Sequence, residues 1–433
     1  MMRRSLVAGV LALTLMGCGM APGLDGGPAP GGGGGSGGGA TPGGVKDMQL
    51  ARKKIAGGQV PLPDDFVAEG LFSEHDLPLE GPACEQVLCL NTASAIAPLP
   101  GTERQAVFVQ VGFSSNVDPA TFRRKPLDAA LVIDHSGSMS GEPMESVKEA
   151  ARRLVGKLEE RDTFSLVIFD DVAETLVEQT PVTDRAALLR AIDTIQADNS
   201  TCIECGLKKG YAQLSTRPEE PSRARRLFLF TDAMPNVGST GQGEFMNLVR
   251  EASTRGQDLT VFGVNLAFNQ QLITNISSVR GASSFYLSNA ERTRTVFDED
   301  FDYLVTPLAY DLKMELSPAG GYKLEAVYGL PGVKPGDAQA RLEVATVFLS
   351  RNRGAILARL SRVGEEVPPG QSLASGALSF QPTTGSLSST PLTVRYEGNE
   401  PLATTASWYS QGTVRKTVAL THFILGAQAA CAK

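Results

Sequence analysis

The sequence predicts an α/β protein: a doubly wound, mostly parallel sheet in the middle of the chain, flanked by a mixed N-terminal lead-in and a C-terminal β-rich, sandwich-like domain. Three observations carry this. From Leu127 onward, apolar β-rich runs alternate with helical patterns, as in a sheet covered by helices on both faces. After Pro307 the helical patterns mostly stop and alternating segments take over. At 433 residues the chain is also too long for one core, since domains run to roughly 150 residues.

Taken in order, Arg3 and Arg4 precede an apolar run, Leu6 to Met16, followed by Gly17 and Cys18. That is a basic n-region, a short h-region and a small-residue cleavage site, the layout of an export signal over residues 1–18. The run is shorter than the roughly 20 apolar residues of a bilayer span. Leu15-Met16-Gly17-Cys18 resembles the bacterial lipobox, which implies that Cys18 becomes the lipidated first residue of the mature protein. Gly19 after that cysteine, rather than Asp, implies the outer membrane in preference to the inner one. Residues 19–45 are Gly, Pro, Ala and Ser with almost nothing to bury, and read as a disordered tether. A flexible chain of about 26 residues spans roughly 25–30 Å, enough to hold a domain clear of lipid head groups.

The lead-in, residues 46–125, has a helical pattern from Met48 to Ile55, a Gly-Gly and Pro-rich bend, and strand alternation from Arg104 to Phe113. Residues 126–306 hold the α/β unit. Its strands are predicted at Ala129–Asp134, Phe164–Phe169, Arg226–Thr231, Leu259–Val264 and Ser284–Leu287. Its helices are predicted at Glu145–Leu158, Arg185–Ile195, Ile203–Leu214, Glu244–Thr254 and Gln270–Val279. Residues 307–433 read as the β-rich domain, with strands at Lys313–Leu316, Tyr322–Tyr328, Arg341–Leu349, Ala355–Leu360 and Leu392–Tyr396, and either a closing helix or a last strand at Thr417–Ala430.

Composition narrows the function. Hydrophobic residues at 42% and charged residues at 20% fit a chain that folds in water. A formal net charge of −7 argues against a broad phosphate-binding surface, so nucleic acid is not expected as a partner. Only three histidines, His75, His135 and His422, leave little for histidine-based zinc sites or acid/base machinery.

One constellation carries chemistry. Asp134-His135-Ser136-Gly137-Ser138 ends the first strand of the α/β unit just before a helix, and ligands of open α/β sheets gather at the carboxyl ends of strands. A carboxylate and two hydroxyls spaced by two can point three oxygens at one place. Thr201 precedes the Ile203 helix and Asp232 follows the apolar run Leu227–Thr231, each adding one oxygen. Oxygen-only ligation suits a hard divalent cation, Mg²⁺ first, with Mn²⁺ or Ca²⁺ as alternatives.

The pattern Asp134-x-Ser136-x-Ser138, then Thr201 five residues before Gly206-Leu207, then Thr231-Asp232, resembles the von Willebrand factor type A domain and its metal-ion-dependent adhesion site. The resemblance covers roughly Leu127 to Thr306 and implies a Rossmann-like fold. It further implies that Ser136, Ser138 and Thr201 contact the metal through hydroxyls, with Asp134 and Asp232 contacting it directly or through water. The chain departs from the family where Asn199 and Ser200 replace two frequent glycines and Ala233 replaces a common glycine. Leu50–Leu77, with Ala56-Gly57-Gly58-Gln59-Val60-Pro61, and Val107–Phe113 look like the N-terminal region of bacterial envelope proteins of this family that also carry a C-terminal β-rich domain. That likeness implies that lead-in and C-terminal domain form one platform around the metal-bearing unit.

Six cysteines less Cys18 leave five, and export places them in an oxidising space. Cys84 with Cys89 and Cys202 with Cys205 are the local pairs, and Cys431 is left over. A four-cysteine zinc site or a redox-active Cys202/Cys205 pair are the competing readings. An enzyme is not expected: Asp134, His135 and Ser136 are consecutive and cannot align as a triad, and no His-Glu-x-x-His or Walker-type loop occurs. The function that follows is a lipid-anchored bacterial envelope protein binding a protein partner, whose Asp or Glu carboxylate completes the metal shell. A structural envelope protein using the metal only for folding and an undetected hydrolase are the rival classes.

Overall fold

The computed structural model describes residues 39–42, 48–102, 104–118, 121–198, 200–232, 241–264, 275–276, 278–329, 340–363, 370–383, 385–396 and 407–432. The export signal, Cys18, most of the tether, Asn199, Ala233 and most of the Gln270–Val279 segment lie outside the described residues.

The middle of the chain forms a six-stranded sheet in the order β6-β5-β4-β7-β8-β9. Its strands are β4 (Leu127–Asp134), β5 (Thr163–Phe169), β6 (Ala173–Pro181), β7 (Ala224–Thr231), β8 (Gln257–Gly263) and β9 (Ala282–Tyr286). All neighbours are parallel except β5 and β6. Every residue of β4 is buried, as its unbroken apolar run requires of a strand covered on both faces. Leu131 and Ile133 pack with Val147, Ala151 and Leu154 of the Glu142–Lys157 helix, while Ala130 and Val132 pack with Leu207 and Tyr211 of the Ile203–Leu214 helix. The latter helix lies close to the sheet because it carries glycine where contact is tightest: a Cβ on Gly206 would collide with the Phe169 ring.

β6 went unpredicted. Its sequence, AETLVEQTP, is polar and mostly half-buried to exposed because it is an antiparallel edge strand, so no apolar run marks it.

A second, ten-stranded sheet runs β11-β13-β3-β1-β12-β10-β14-β15, with β2 pairing β3 and β16. Its members are β1 (Gly39–Pro42), β2 (Cys89–Pro98), β3 (Gln105–Ser114), β10 (Pro307–Pro318), β11 (Tyr322–Tyr328), β12 (Ala340–Ser350), β13 (Ala355–Arg362), β14 (Ser372–Pro382), β15 (Ser388–Arg395) and β16 (Trp408–Tyr409). Strands from before and after the α/β unit therefore interleave in one antiparallel sheet: β3 pairs β13, and β1 pairs both β12 and β3. The segment after residue 307 does not make a sheet of its own. Tyr322, Leu324, Val109, Val111, Leu312 and Val347 share one apolar cluster across these strands. β2 and β14 escaped prediction because Ala, Ser, Thr and Gly dominate them and give little hydropathy contrast.

The tether reading is corrected at its end. Gly39–Pro42, placed within it, is a buried strand, with Gly39 opposite Ser350 and Ser114. A Cβ on Gly39 would strike the backbone of Asn352, so the glycine that resembled linker is demanded by close strand packing. Thr417–Ala430 lies within a helix, Gly412–Cys431, whose Val414 and Val418 pack on Phe108 and Leu357, and whose Ile424 meets Met48, Phe66 and Leu71. Among the described residues no helix is long and apolar enough to cross a membrane.

The link from β3 to β4 is fixed to the α/β unit by a buried ion pair, and a hydrogen bond to β12 ties the two sheets together elsewhere. Arg124, 3% exposed, donates to both carboxylate oxygens of Asp162, which is 0% exposed, at 2.9 and 2.6 Å. Asp162 also accepts from the backbone N–H of Leu127 and Glu159 at 2.7 Å each. At the other side, Gly281 N donates to Thr346 Oγ1 of β12 at 2.7 Å, and Leu50 of the Gln49–Ala56 helix enters the apolar cluster beneath β7 and β8.

Candidate metal centre

The carboxyl ends of β4 and β7 deliver Asp134 and Asp232 to one place, because the two strands are parallel neighbours in register. Asp134 is the last residue of β4, and the chain then turns through a single 3₁₀ turn, Gly137–Met139, before the Glu142 helix. That turn folds the hydroxyls back. Ser136 donates to Asp134 Oδ1 through its backbone N–H at 2.9 Å and its Oγ at 2.6 Å. Ser136 Oγ lies 3.3 Å from Ser138 Oγ, and Ser138 Oγ donates to Asp232 Oδ1 at 3.0 Å. Thr231 Oγ1 donates to Asp134 Oδ2 at 2.6 Å. Four of the five residues read from the sequence as ligands thus form one continuous chain of oxygens.

Thr201 is the fifth. It is exposed, and among the described residues its hydroxyl has no hydrogen bond to the other four. Its loop is nevertheless pinned to the same end of the sheet. Cys202 donates its backbone N–H to the carbonyl of Asp170, Asp198 N donates to His135 O at 2.7 Å, and His135 Nδ1 lies 3.1 Å from Gln196 O. Cys202 and Cys205 are disulfide-bonded at the start of the Ile203–Leu214 helix, and Cys84 and Cys89 form the other predicted bridge. Cys431 is a free thiol.

Asp134 is 0% exposed and Asp232 2%. Burial pushes the Asp134 carboxyl above the usual carboxylate range, the hydrogen bonds from Ser136 and Thr231 pull it back, and the charge of Asp232 adds to the rise. Two carboxylates held together away from water are costly unless a positive charge joins them. The donors are all oxygen, which fits a hard divalent cation. Among the described residues no three His, Cys, Asp or Glu side chains converge, so a zinc-type cluster, the four-cysteine one included, is not formed. A cation here would be held by hydroxyls plus two carboxylates.

Two contributors were not assigned from the sequence. Asp170, one residue past β5 and 5% exposed, accepts from Val172 N at 2.9 Å and stands 3.7 Å from His135 Nε2. Its position at a strand's carboxyl end next to β4 was the available signal. Thr231 was read only as part of a dipeptide, although it holds the second oxygen of Asp134.

Comparison with known proteins bears on the fold. The family model of the von Willebrand factor type A domain matches residues 128–299. The uncharacterized protein sll0103 of Synechocystis sp. is 31% identical over 233 residues, covering 53% of this chain and 54% of that protein. The uncharacterized protein YfbK of Escherichia coli is 25% identical over 228 residues, 52% of this chain and 39% of its own length. Inter-alpha-trypsin inhibitor heavy chain H1 of Sus scrofa is 25% identical over 228 residues, 49% of this chain and 24% of that one. The chain thus spans about half the length of the first of these relatives and less of the others. The mostly parallel six-stranded sheet, carried inside a longer chain, matches the von Willebrand factor type A domain over residues 128–299.

Proposed function

We propose that this protein is a lipid-anchored component of a bacterial envelope, favouring the outer membrane, that binds a protein partner through a divalent cation. Asp134, Ser136, Ser138, Thr201 and Asp232 would hold the cation, with Mg²⁺ the preferred ion. The single observation that carries the reading is the hydrogen-bonded chain Asp134–Ser136–Ser138–Asp232 at the carboxyl end of the sheet. Bound there, the cation supplies a positive centre for an oxygen ligand from outside. Hydroxyls in much of its shell leave the ion electron-poor, which favours an anionic ligand, an Asp or Glu carboxylate of the partner.

This chain's own residues do the positioning. Thr231 and the Ser136 backbone N–H fix the two oxygens of Asp134, so its side chain need not reorganise when the ion arrives. The Asp170 carbonyl and the Cys202–Cys205 bridge hold the loop that presents Thr201. His135 sits between two of these residues and faces Asp170 and Gln196, which supports binding over turnover.

Anchoring rests on Leu15-Met16-Gly17-Cys18 and the glycine-rich stretch after it. The test is affinity capture from envelope extract on the immobilised full chain, in Mg²⁺ and in EDTA. A partner retained only in Mg²⁺, and lost with Asp134→Ala, supports the reading. A partner retained equally in EDTA moves recognition to another surface, the ten-stranded sheet first.

A further inference from the structure

A cleft of about 270 Å³ opens where the edge strand β9 and the segment around residues 292–304 meet the end of β12. None of its lining residues belongs to the candidate metal centre. Its wall is mixed. Phe285 and Phe348 supply apolar surface, and the Phe348 ring is braced by Arg226, whose guanidinium carbon stands 5.5 Å from the ring centroid.

Size and charge restrict the occupant. Pockets for drug-sized ligands run from roughly 300 to 1,000 Å³, so a cleft of this volume suits a single ring. Two guanidiniums, Arg292 and Arg351, face two carboxylates, Glu74 and Asp300. A balanced wall of this kind gives no field that would gather a polyanion.

The four charges are not equally engaged. Glu74 is clamped by both guanidinium nitrogens of Arg52 at 2.5 Å each, and Arg351 donates to Glu299 at 2.7 Å. Asp300 differs. Among the described residues its carboxylate accepts no hydrogen bond, and Arg351 Nε stands 3.9 Å away, beyond hydrogen-bonding range. Burial pushes its carboxyl above the usual range against the pull of Arg292 and Arg351. An acceptor short of donors in a half-closed cleft favours a ligand that brings them. Hydroxyl groups suit this wall, because each can donate to the Asp300 carboxylate or to Thr295 Oγ1, whose own proton goes to the Glu291 carbonyl at 3.2 Å.

We propose that this cleft binds a neutral hydroxylated ring of monosaccharide size, free or at the end of a glycan. Its hydroxyls donate to Asp300 and to Thr295 Oγ1, and its C–H face packs on the apolar wall of Phe285 and Phe348. Binding is independent of the cation.

The test uses the purified full chain and three probes: glucose, N-acetylglucosamine and methyl α-glucoside, the last standing for a glycan end. Saturation-transfer NMR and calorimetry are read with inorganic phosphate and acetate as controls. At least one sugar is expected to bind with Kd on the order of 1 mM. Asp300→Asn should weaken it about tenfold or more, and Thr295→Val should weaken it with the melting temperature unchanged. EDTA and Asp134→Ala should leave it intact, which separates this site from the one proposed above. The methyl glycoside binding as well as the free sugars assigns the site to glycan ends, and its exclusion assigns it to free monosaccharide. Saturation transfer from none of the three, displacement of the sugar by phosphate, or equal affinity in both variants would overturn the assignment.

Discussion

At the scale of single residues, the buried carboxylates divide by what they face. Asp162 faces Arg124 and two backbone N–H groups, so its charge is fully compensated within the fold. Removing one member of such a pair strands the other, and Asp162→Ala should cost ~3–5 kcal/mol, read as a lowered denaturation midpoint; a loss under ~1 kcal/mol would show that water replaces the carboxylate. Asp134 faces hydroxyls and a second carboxylate, an arrangement that asks for a cation. Asp134→Ala should abolish Mg²⁺ binding in calorimetry and partner capture together. Thr201→Ala, at an exposed position outside the hydrogen-bonded chain, should weaken the metal only mildly yet still impair capture. Ca²⁺ should substitute imperfectly, since it takes more ligands at longer distances. Equal capture by the Asp134→Ala protein would remove the metal from the mechanism. Asp134, Ser136, Ser138 and Asp232, the four candidates that the fold brings into one hydrogen-bonded chain, were legible in the sequence through residue type and spacing, whereas Thr201 stands outside that chain. The role of Asp170 was not legible, because its contact with the Thr201 loop runs through its backbone carbonyl, which any residue could supply.

Elements tell a similar story about what patterns encode. β4, β5 and β7 were readable as unbroken apolar runs because both their faces are covered. The Ile203–Leu214 helix falls within its predicted bounds, since its apolar spacing starts beside a cysteine N-cap. β2, β6 and β14 were missed for opposite reasons, two being low in contrast and one being a solvent-facing edge. The Cys202–Cys205 bridge caps the Ile203 helix, with Cys205 N donating to Cys202 Sγ at 3.3 Å, directly after Thr201. Reduction with a dithiol should therefore weaken Mg²⁺ binding while leaving the α/β sheet folded, as judged by an unchanged far-ultraviolet spectrum. Free thiols at both positions in protein taken from its own envelope would refute a stapling role, and unaltered metal affinity after reduction would show that the Asp170 contact alone suffices.

For the whole molecule, boundaries were the hardest feature to read. Sequence order suggested a lead-in, a middle unit and a tail, whereas space pairs β3 with β13 and β1 with β12. Long-range strand pairing leaves no local signature, and only the family likeness hinted at a shared platform. One consequence is testable by truncation. A chain ending at residue 306 leaves β1 and β3 without their β12 and β13 partners, so it should aggregate or expose the lead-in to protease, while residues 126–306 alone should fare better. A soluble, protease-resistant 1–306 fragment would contradict the interleaved sheet. Anchoring is tested separately: Cys18→Ala should release the protein from the membrane fraction, and persistence there after a high-salt wash would point to another anchor.

The short strand β1 also sets how the molecule would carry tension. Pulled from the residues before Gly39, the chain does not peel open from an edge. β1 lies between β12 and β3, and its four register pairs with β12, from Gly39↔Ser350 to Pro42↔Val347, are loaded together along the strand axis. Shearing a strand out of a sheet interior breaks its hydrogen bonds at once, whereas peeling an edge breaks them singly. The load passes into the ten-stranded sheet, and the six-stranded sheet with its oxygen cluster branches off later in the chain. A partner gripped at the cluster and an anchor at the other end would thus stretch the platform first and reach Asp134 through the backbone link from β3 to β4, where Arg124 is held by Asp162.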